Sequence, residues 1–488
     1  MDGLVIIQYG TIGPVVTLPF LKSDFISSSP IPVYRQLANQ IRSAISLGQL
    51  QPGDKLPPTR DLAGHLGLNR STVSAAYSVL EEDGLLSGQV GRGSYISNQP
   101  ITVTANEGPS NLDDVISFSS ASPGQDLFPL EDFRACCQTV LASSNIHQIL
   151  QLGSPYGYDP LRSYLIEAAR QRGIARKDDE ILITNGCQQA LDLLDRAFGE
   201  GVAAVEDPVY PGVKRVFARP GRKCIGLSVN QSGISLNQIT PEGRVTLAVV
   251  TPNFQNPTGI TMPLEARHEL LAVTRRVGIQ LVENNIYEEL RYTGQDIPSL
   301  KALDETGAVI QLGSFSKIAF PGLRVGWIVG PKQIIDRLAE MKQACDLHSD
   351  QLSQAVLLRF AESGLMREHR SRMRTAGAIR LKAVLEACIK DLPVGSVFTR
   401  PEGGMNLWVT LPKGLDAASL SRHAERAGVT YLPGRAFEVE ADHSRSLRLS
   451  FAGLAPEKIT EGLSRLGNLF AGAVAGELPR DRAPMAVV

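Results

Sequence analysis

Gly313-Ser314-Phe315-Ser316-Lys317, with Arg324 inside the following Pro321-Gly322-Leu323-Arg324-Val325-Gly326, is the stretch whose reading decides the fold. A lysine amine forms a Schiff base with an aldehyde, and Ser314, Ser316 and Arg324 offer hydroxyls and a planar cationic fork suited to a phosphate. An aldehyde and a phosphate on one small molecule describe pyridoxal phosphate. Alone, the stretch also reads as a polar loop with a solvated lysine, so its neighbours must decide.

Upstream, Asn253-Phe254-Gln255-Asn256-Pro257-Thr258-Gly259 follows the apolar run Val245 to Val250, a strand pattern ending in a tight turn that aims an amide side chain. Ile279 to Glu283 reads as a second buried strand with Tyr287 just beyond its end. Lys317 follows a third, Val309 to Leu312. Ligands of open α/β sheets sit outside the carboxyl ends of strands, so polar residues at successive strand ends predict one pocket.

With these residues in this order, roughly residues 115 to 470 resemble the fold type I aminotransferases. The resemblance implies a mostly parallel central sheet with helices on both faces and a smaller C-terminal α/β portion. It also implies roles. Thr184-Asn185-Gly186-Cys187-Gln188-Gln189 looks like the phosphate cradle, with Gly186, Cys187 and Gln188 opening a helix whose free N–H groups favour an anion. Tyr210, in Glu206-Asp207-Pro208-Val209-Tyr210, falls where the family stacks an aromatic on the pyridine. Asn256 and Tyr287 match the partners of the ring's phenolic oxygen, and Arg448, in Ser446-Leu447-Arg448-Leu449-Ser450, matches the arginine that forks onto a ligand carboxylate. Tyr156 resembles a tyrosine that crosses a dimer interface toward the neighbour's phosphate. Phe118 to Phe128 resembles the segment that leads into such domains.

One position departs from the pattern. Where the family has an aspartate, Glu283-Asn284-Asn285-Ile286-Tyr287 puts Asn284 opposite the pyridine nitrogen. A carboxylate there keeps that nitrogen protonated and makes the ring an electron sink, whereas an amide carries no charge and supports the sink poorly. Exchange of amines at Lys317 does not need the sink. Strand alternation points Glu283 to the other face, away from this position.

The first hundred residues have no place in an aminotransferase. Tyr34, Leu37, Ile41 and Ile45 lie at helical spacing, with Gly48 suited to ending that helix. After the turn Pro52-Gly53-Asp54, a second helix is expected from a Thr59 cap, carrying Leu62, Ala63 and Leu66. Asn69 is expected to cap a third, Arg70 to Asp83, with Val73, Ala76, Tyr77 and Leu80 buried. Leu85-Leu86 and Ser94-Tyr95-Ile96 read as two short strands around a glycine-rich tip. Residues 30–97 thus resemble the GntR-type winged helix-turn-helix domain, down to Gly53-Asp54-Lys55-Leu56-Pro57. The resemblance implies that Arg60, Arg70, Ser71, Thr72, Arg92 and Gly93 touch DNA, the second helix of the motif entering the major groove N-terminal end first.

A GntR-like reader joined to an aminotransferase-like body resembles the MocR subfamily of bacterial transcription regulators. That resemblance implies pyridoxal phosphate as cofactor, double-stranded operator DNA and an amino-containing effector as partners, and a head-to-tail homodimer. The expected function is a regulator that senses the effector through an imine at Lys317, without the turnover of an enzyme. A working aminotransferase carrying a DNA-binding head is the alternative, and the retained Lys317, Arg324, Tyr287 and Arg448 keep it open.

The remaining organisation agrees. At 488 residues the chain exceeds one core, and 43% apolar content suffices for several. Its 49 basic and 50 acidic residues leave a net charge of −1, which argues against a nonspecific nucleic-acid coat and leaves DNA affinity to local patches. Six cysteines show neither zinc spacing nor a disulfide framework and suit a reducing cytosol. No long apolar span suggests a membrane. Residues 1–29 read as an N-terminal arm without a basic leader, 98–114 as a mobile interdomain linker, and 471–488 as a flexible tail. Gln333 to Ser363 and Ser371 to Ala387 read as helical stretches, the first ending at Gly364.

Overall fold

The computed structural model describes residues 32–46, 49–51, 53–82, 85–89, 93–97 and 115–477. They belong to two compact units, within residues 1–107 and 108–488. The expected arm, the linker, Gly48, Pro52, Arg92 and the chain beyond 477 lie outside the described residues.

The first unit holds helices Val33–Ser46, Thr59–Leu66 and Arg70–Glu82 and an antiparallel hairpin of Leu86–Gln89 with Gly93–Ile96. Leu37, Ala38 and Ile41 of the first helix and Val73, Ala76 and Leu80 of the third are fully buried in one core. Their spacing puts each set on a single helical face. Gly53 N–H donates to Ile96 and Leu56 N–H to Ser94, both at 2.9 Å, so the segment between the first two helices lies along the hairpin. Asn69 caps the third helix as expected, its Oδ1 accepting from Ser71 N–H at 3.1 Å. Thr59 does not cap the second. Pro58 takes the cap position at φ −53° and ψ 142°, and Thr59 is already helical, because the rigid proline delivers an extended backbone directly to the first turn.

The second unit is built, among the described residues, round an eight-stranded sheet. Its strand order is Asp179–Thr184, Gly326–Pro331, Val309–Ser314, Gln280–Asn284, Val245–Val250, Val202–Asp207, Cys224–Asn230 and Gly233–Ile234. The pairings from Val309–Ser314 to Cys224–Asn230 are parallel; Gly326–Pro331 runs antiparallel to both its neighbours. Alternation along the strands feeds two cores. Ala203, Val205, Leu247, Val249, Ile310 and Leu312 pack with helices Cys187–Ala197 and Lys332–Asp346, while Val202, Ala204, Ala248, Val250, Leu281 and Val309 pack with Leu270 of helix Leu264–Val277. A sheet covered on both faces needs the near-continuous apolar strands that this sequence carries.

A smaller antiparallel sheet, ordered Val397–Phe398, Asn406–Thr410, Ser446–Ser450 and Leu432–Pro433, shares a core with helices Leu365–Asp391 and Pro456–Ala475. Three expectations change here. The stretch 333–363 is two helices, Lys332–Asp346 and Gln351–Glu362, parted where Leu347 takes φ 61°. Asp350 then caps the second helix, accepting from Leu352 N–H at 3.2 Å and Ser353 N–H at 2.8 Å. The following helix starts at Leu365, six residues earlier than read, because Gly364 at φ 86° opens it directly. The last helix runs through 471 to Ala475, held by Phe470, fully buried under it, and closed by Gly476 at φ 75°.

Candidate functional site

The parallel strands bring Thr184, Asp207, Val250, Asn284 and Ser314 to one edge of the sheet, and the reversed strand begins there at Gly326, in register with both Thr184 and Ser314. A cavity of about 430 Å³ opens at that edge. Of the residues read from the sequence, Cys187, Gln188, Tyr210, Asn256, Asn284, Tyr287, Ser314, Ser316, Lys317, Arg324 and Arg448 all line it. No carboxylate lines it among the described residues.

Lys317 ends a 3-10 turn set by Ser314, whose Oγ accepts from Ser316 N–H at 3.0 Å. The lysine Nζ donates to the Ala121 carbonyl at 2.6 Å and lies 5.8 Å from the Tyr287 ring centroid. Burial, then the charges of Arg448 and Arg324, bring its pKa from 10.5 down to about 8. The site therefore favours the neutral, nucleophilic amine.

One end of the cavity is a cradle of backbone. Gly186 sits at φ 75° before the helix Cys187–Ala197, and a Cβ there would lie 2.3 Å from Arg324 Nη2, so the guanidinium occupies the space only glycine leaves. Arg324 itself takes φ 55° and stays exposed, its Nη1 3.5 Å from Ser316 Oγ. Cys187 lines the cradle, with burial pushing its thiol up to about 12, well away from a reactive thiolate. Gln188 Nε2 donates to Gly212 O at 3.1 Å and so ties the cradle to the turn that carries Tyr210. The Tyr210 ring folds over Gly212, where a Cβ would come within 2.3 Å of it, and remains 44% exposed along the cavity.

At the opposite side, Asn256 Nδ2 donates to the Tyr287 hydroxyl at 3.2 Å, and Arg448 Nη1 donates to Asn256 Oδ1 at 3.0 Å. Burial lifts the Tyr287 phenol to about 12 and lowers Arg448 to about 10. Arg448 Nη2 reaches Ser119 O at 2.5 Å, while its buried Nε has no partner among the described residues. Asn284 donates through Nδ2 to Thr251 Oγ1 at 3.4 Å, and its buried Oδ1 has no partner among the described residues. Glu283 faces away, as alternation requires: it accepts from Leu300 N–H and Lys301 N–H at 2.9 Å and from Gln311 Nε2 at 3.0 Å. It cannot stand in for the missing carboxylate.

Tyr156 is not in this cavity; its hydroxyl donates to Asp336 Oδ1 at 2.8 Å on the same chain. In the first unit, Arg60, Arg70 and Ser71 are exposed, with Arg70 opening the third helix beside a half-buried Thr72. Gly93 begins the second strand of the hairpin. Residues missed in the sequence are Thr251, Arg215 and the backbone of Ser119 to Ser122. Thr251 had a signal, since it directly follows the strand Val245–Val250; Ser119 had none, because its partner Arg448 is 329 positions away.

The donor set fits pyridoxal phosphate: an amine for an aldehyde, a glycine cradle under an arginine for a phosphate, and an amide with a phenol for a ring hydroxyl. Comparison with known proteins agrees. The family described as aminotransferase class I and II matches residues 114–466, and that of bacterial regulatory proteins, gntR family, matches 33–96. Aromatic-amino-acid aminotransferase 1 of Thermococcus litoralis is 36% identical over 72% of this chain and 87% of its own length. The crystal structure of Pyrococcus horikoshii kynurenine aminotransferase, in complex with PMP, superposes with a TM-score of 0.71 at 35% identity, covering 74% of this chain and 92% of that one. Neither of these matches spans the whole chain. The probable rhizopine catabolism regulatory protein MocR of Rhizobium meliloti covers more of it, at 30% identity over 93% of this chain and 97% of that protein. A GntR reader and an aminotransferase body in one polypeptide, matched together over most of the chain, mean that it belongs to the MocR family of transcription regulators.

Proposed function

We propose that this protein is a DNA-binding regulator whose larger unit carries pyridoxal phosphate on Lys317 and senses an amino-containing metabolite through it. The observation that carries the reading is Asn284. The cavity holds Lys317, Arg324 and Arg448 together with a neutral amide, Asn284, whose Oδ1 has no partner among the described residues, and this supports reading Asn284 as the group opposite the ring nitrogen. When bound, the cofactor supplies an aldehyde that exchanges amines and a ring able to delocalise negative charge, the second only as far as its nitrogen is kept protonated.

The residues divide the work. Lys317, its pKa lowered to about 8 chiefly by burial, anchors the cofactor and yields to an incoming amine. Gly186, Ser316 and Arg324 fix the phosphate, Tyr210 covers the ring, and Asn256 with Tyr287 holds its phenolic oxygen. Arg448 takes a carboxylate or similar anion on the effector, and a lining with no carboxylate among the described residues favours such a ligand electrostatically. Arg60, Arg70, Ser71, Thr72, Arg92 and Gly93 contact operator DNA, and Tyr156 completes the partner's phosphate site in a head-to-tail homodimer. Regulation follows if the effector binds two arrangements of the dimer with different free energies.

The second reading, a working aminotransferase, is favoured by the 36% identity to the Thermococcus litoralis enzyme. Single-turnover absorbance separates the two. Rapid conversion of the holoprotein to pyridoxamine phosphate by ordinary amino acids supports the enzyme; a spectral shift on mixing that stops short of that conversion supports the sensor.

A further inference from the structure

Arg215 lines the cavity at the sheet edge, is exposed, and makes no hydrogen bond or ion pair among the described residues. It stands on the short helix Pro211–Phe217, whose Val213, Val216 and Phe217 pack into the core beside helix Cys187–Ala197. Gly212 and Arg215, three positions apart and so neighbours on one face, are left toward the cavity. Helical side chains lean toward the N-terminal turn, which carries Arg215 back over Gly212 toward the end that bears Tyr210.

Four basic side chains line the cavity among the described residues: Arg215, Lys317, Arg324 and Arg448. Lys317 and Arg324 serve the cofactor in the reading above. Arg448 donates to neutral oxygens, Asn256 Oδ1 at 3.0 Å and Ser119 O at 2.5 Å. The carboxylates that end the adjoining strand are engaged away from both arginines. Asp207 accepts from the N–H groups of Val439, Glu440 and Ala441 and pairs with His443 Nε2 at 3.1 Å. Glu206 accepts from Thr251 N–H at 2.8 Å and Gln255 Nε2 at 3.1 Å, and burial pushes its carboxyl up to about 8, toward the neutral form. Two guanidiniums, one buried and one exposed, are thus left for a ligand.

We propose that Arg215 sets the specificity of the effector site, and that the effector is an amino acid with a second acidic group, one at Arg448 and the other at Arg215. The inference rests on the sensing role proposed above and names the class of ligand for it. Arginine's planar fork suits a carboxylate at each end. Leu191, Ile286 and Leu432 line the same cavity and suit the methylenes that join two acidic groups.

The test titrates the full-length holoprotein with glutamate against glutamine and aspartate against asparagine, pairs alike in shape and different in charge, and reads the cofactor's absorption. At least one diacid should bind about fivefold tighter than its amide, the upper range for an ion pair open to solvent, and the preference should shrink as salt is raised. Arg215→Gln should erase the preference while leaving the affinity for the amides and the spectrum of the bound cofactor as they were. Equal affinities within both pairs, or a preference that survives Arg215→Gln, overturns the proposal and leaves the sensing role standing. Weakened retention of the cofactor in Arg215→Gln places the guanidinium at the cofactor's phosphate and overturns it as well. A holoprotein whose absorption no amino compound changes overturns the sensing role itself, and this inference with it.

Discussion

Arg448 and Tyr287 are joined through one amide: Asn256 accepts from the guanidinium at 3.0 Å and donates to the phenol at 3.2 Å. The group that would hold an effector's anion and the group that would hold the cofactor ring therefore share a single positioning residue. Asn256→Ala should shift the cofactor's absorption and also weaken a carboxylate effector by about tenfold, the cost of one charge-assisted hydrogen bond. Spectroscopic titration reads both, and an effect on one without the other argues against the shared role.

Asn284→Asp restores a carboxylate opposite the ring nitrogen. Half-transamination of the bound cofactor should accelerate by about tenfold or more, since a protonated ring nitrogen delocalises charge better. Stopped-flow absorbance with a panel of amino acids measures it. No gain, or a loss, counts against the proposed reason for the asparagine.

Lys317 is held near a pKa of 8 by burial and by Arg448 and Arg324. Only the neutral amine attacks an aldehyde. The rate at which cofactor-free protein captures pyridoxal phosphate should rise with pH to about 8 and then level, rather than climb toward the ordinary 10.5. The same shift has a sign for stability. Between 8 and 10.5 the unfolded chain binds the extra proton, so this lysine's penalty is full below 8 and fades as pH rises through that window. Urea midpoints of the cofactor-free protein across that range report it.

Arg70 opens the third helix of the first unit, exposed. Arg70→Ala should weaken operator binding by about tenfold, the usual worth of an arginine at DNA, and leave the cofactor spectrum unaltered. A gel-shift titration with unchanged affinity rejects the assignment.

Much of this was legible because the chemistry sits at strand ends. Asn256, Tyr287 and Lys317 each follow an apolar run, and the parallel sheet delivers all three to one edge. Asn284 stood out as an amide where a carboxylate was expected, and Glu283 faced away by simple alternation. What could not be read was long-range or conformational. Ser119 meets Arg448 only in the folded chain, and the break at Leu347 depends on one backbone angle inside an unbroken helical pattern.

The central claim rests on Lys317 as the residue that carries the cofactor. Borohydride reduction of the purified holoprotein, followed by digestion and mass spectrometry, tests it most directly. The account predicts a phosphopyridoxyl label on the peptide containing Lys317, and none in Lys317→Ala, whose first unit stays folded. A protein that stays colourless when saturated with pyridoxal phosphate, or a label on another lysine, would contradict it.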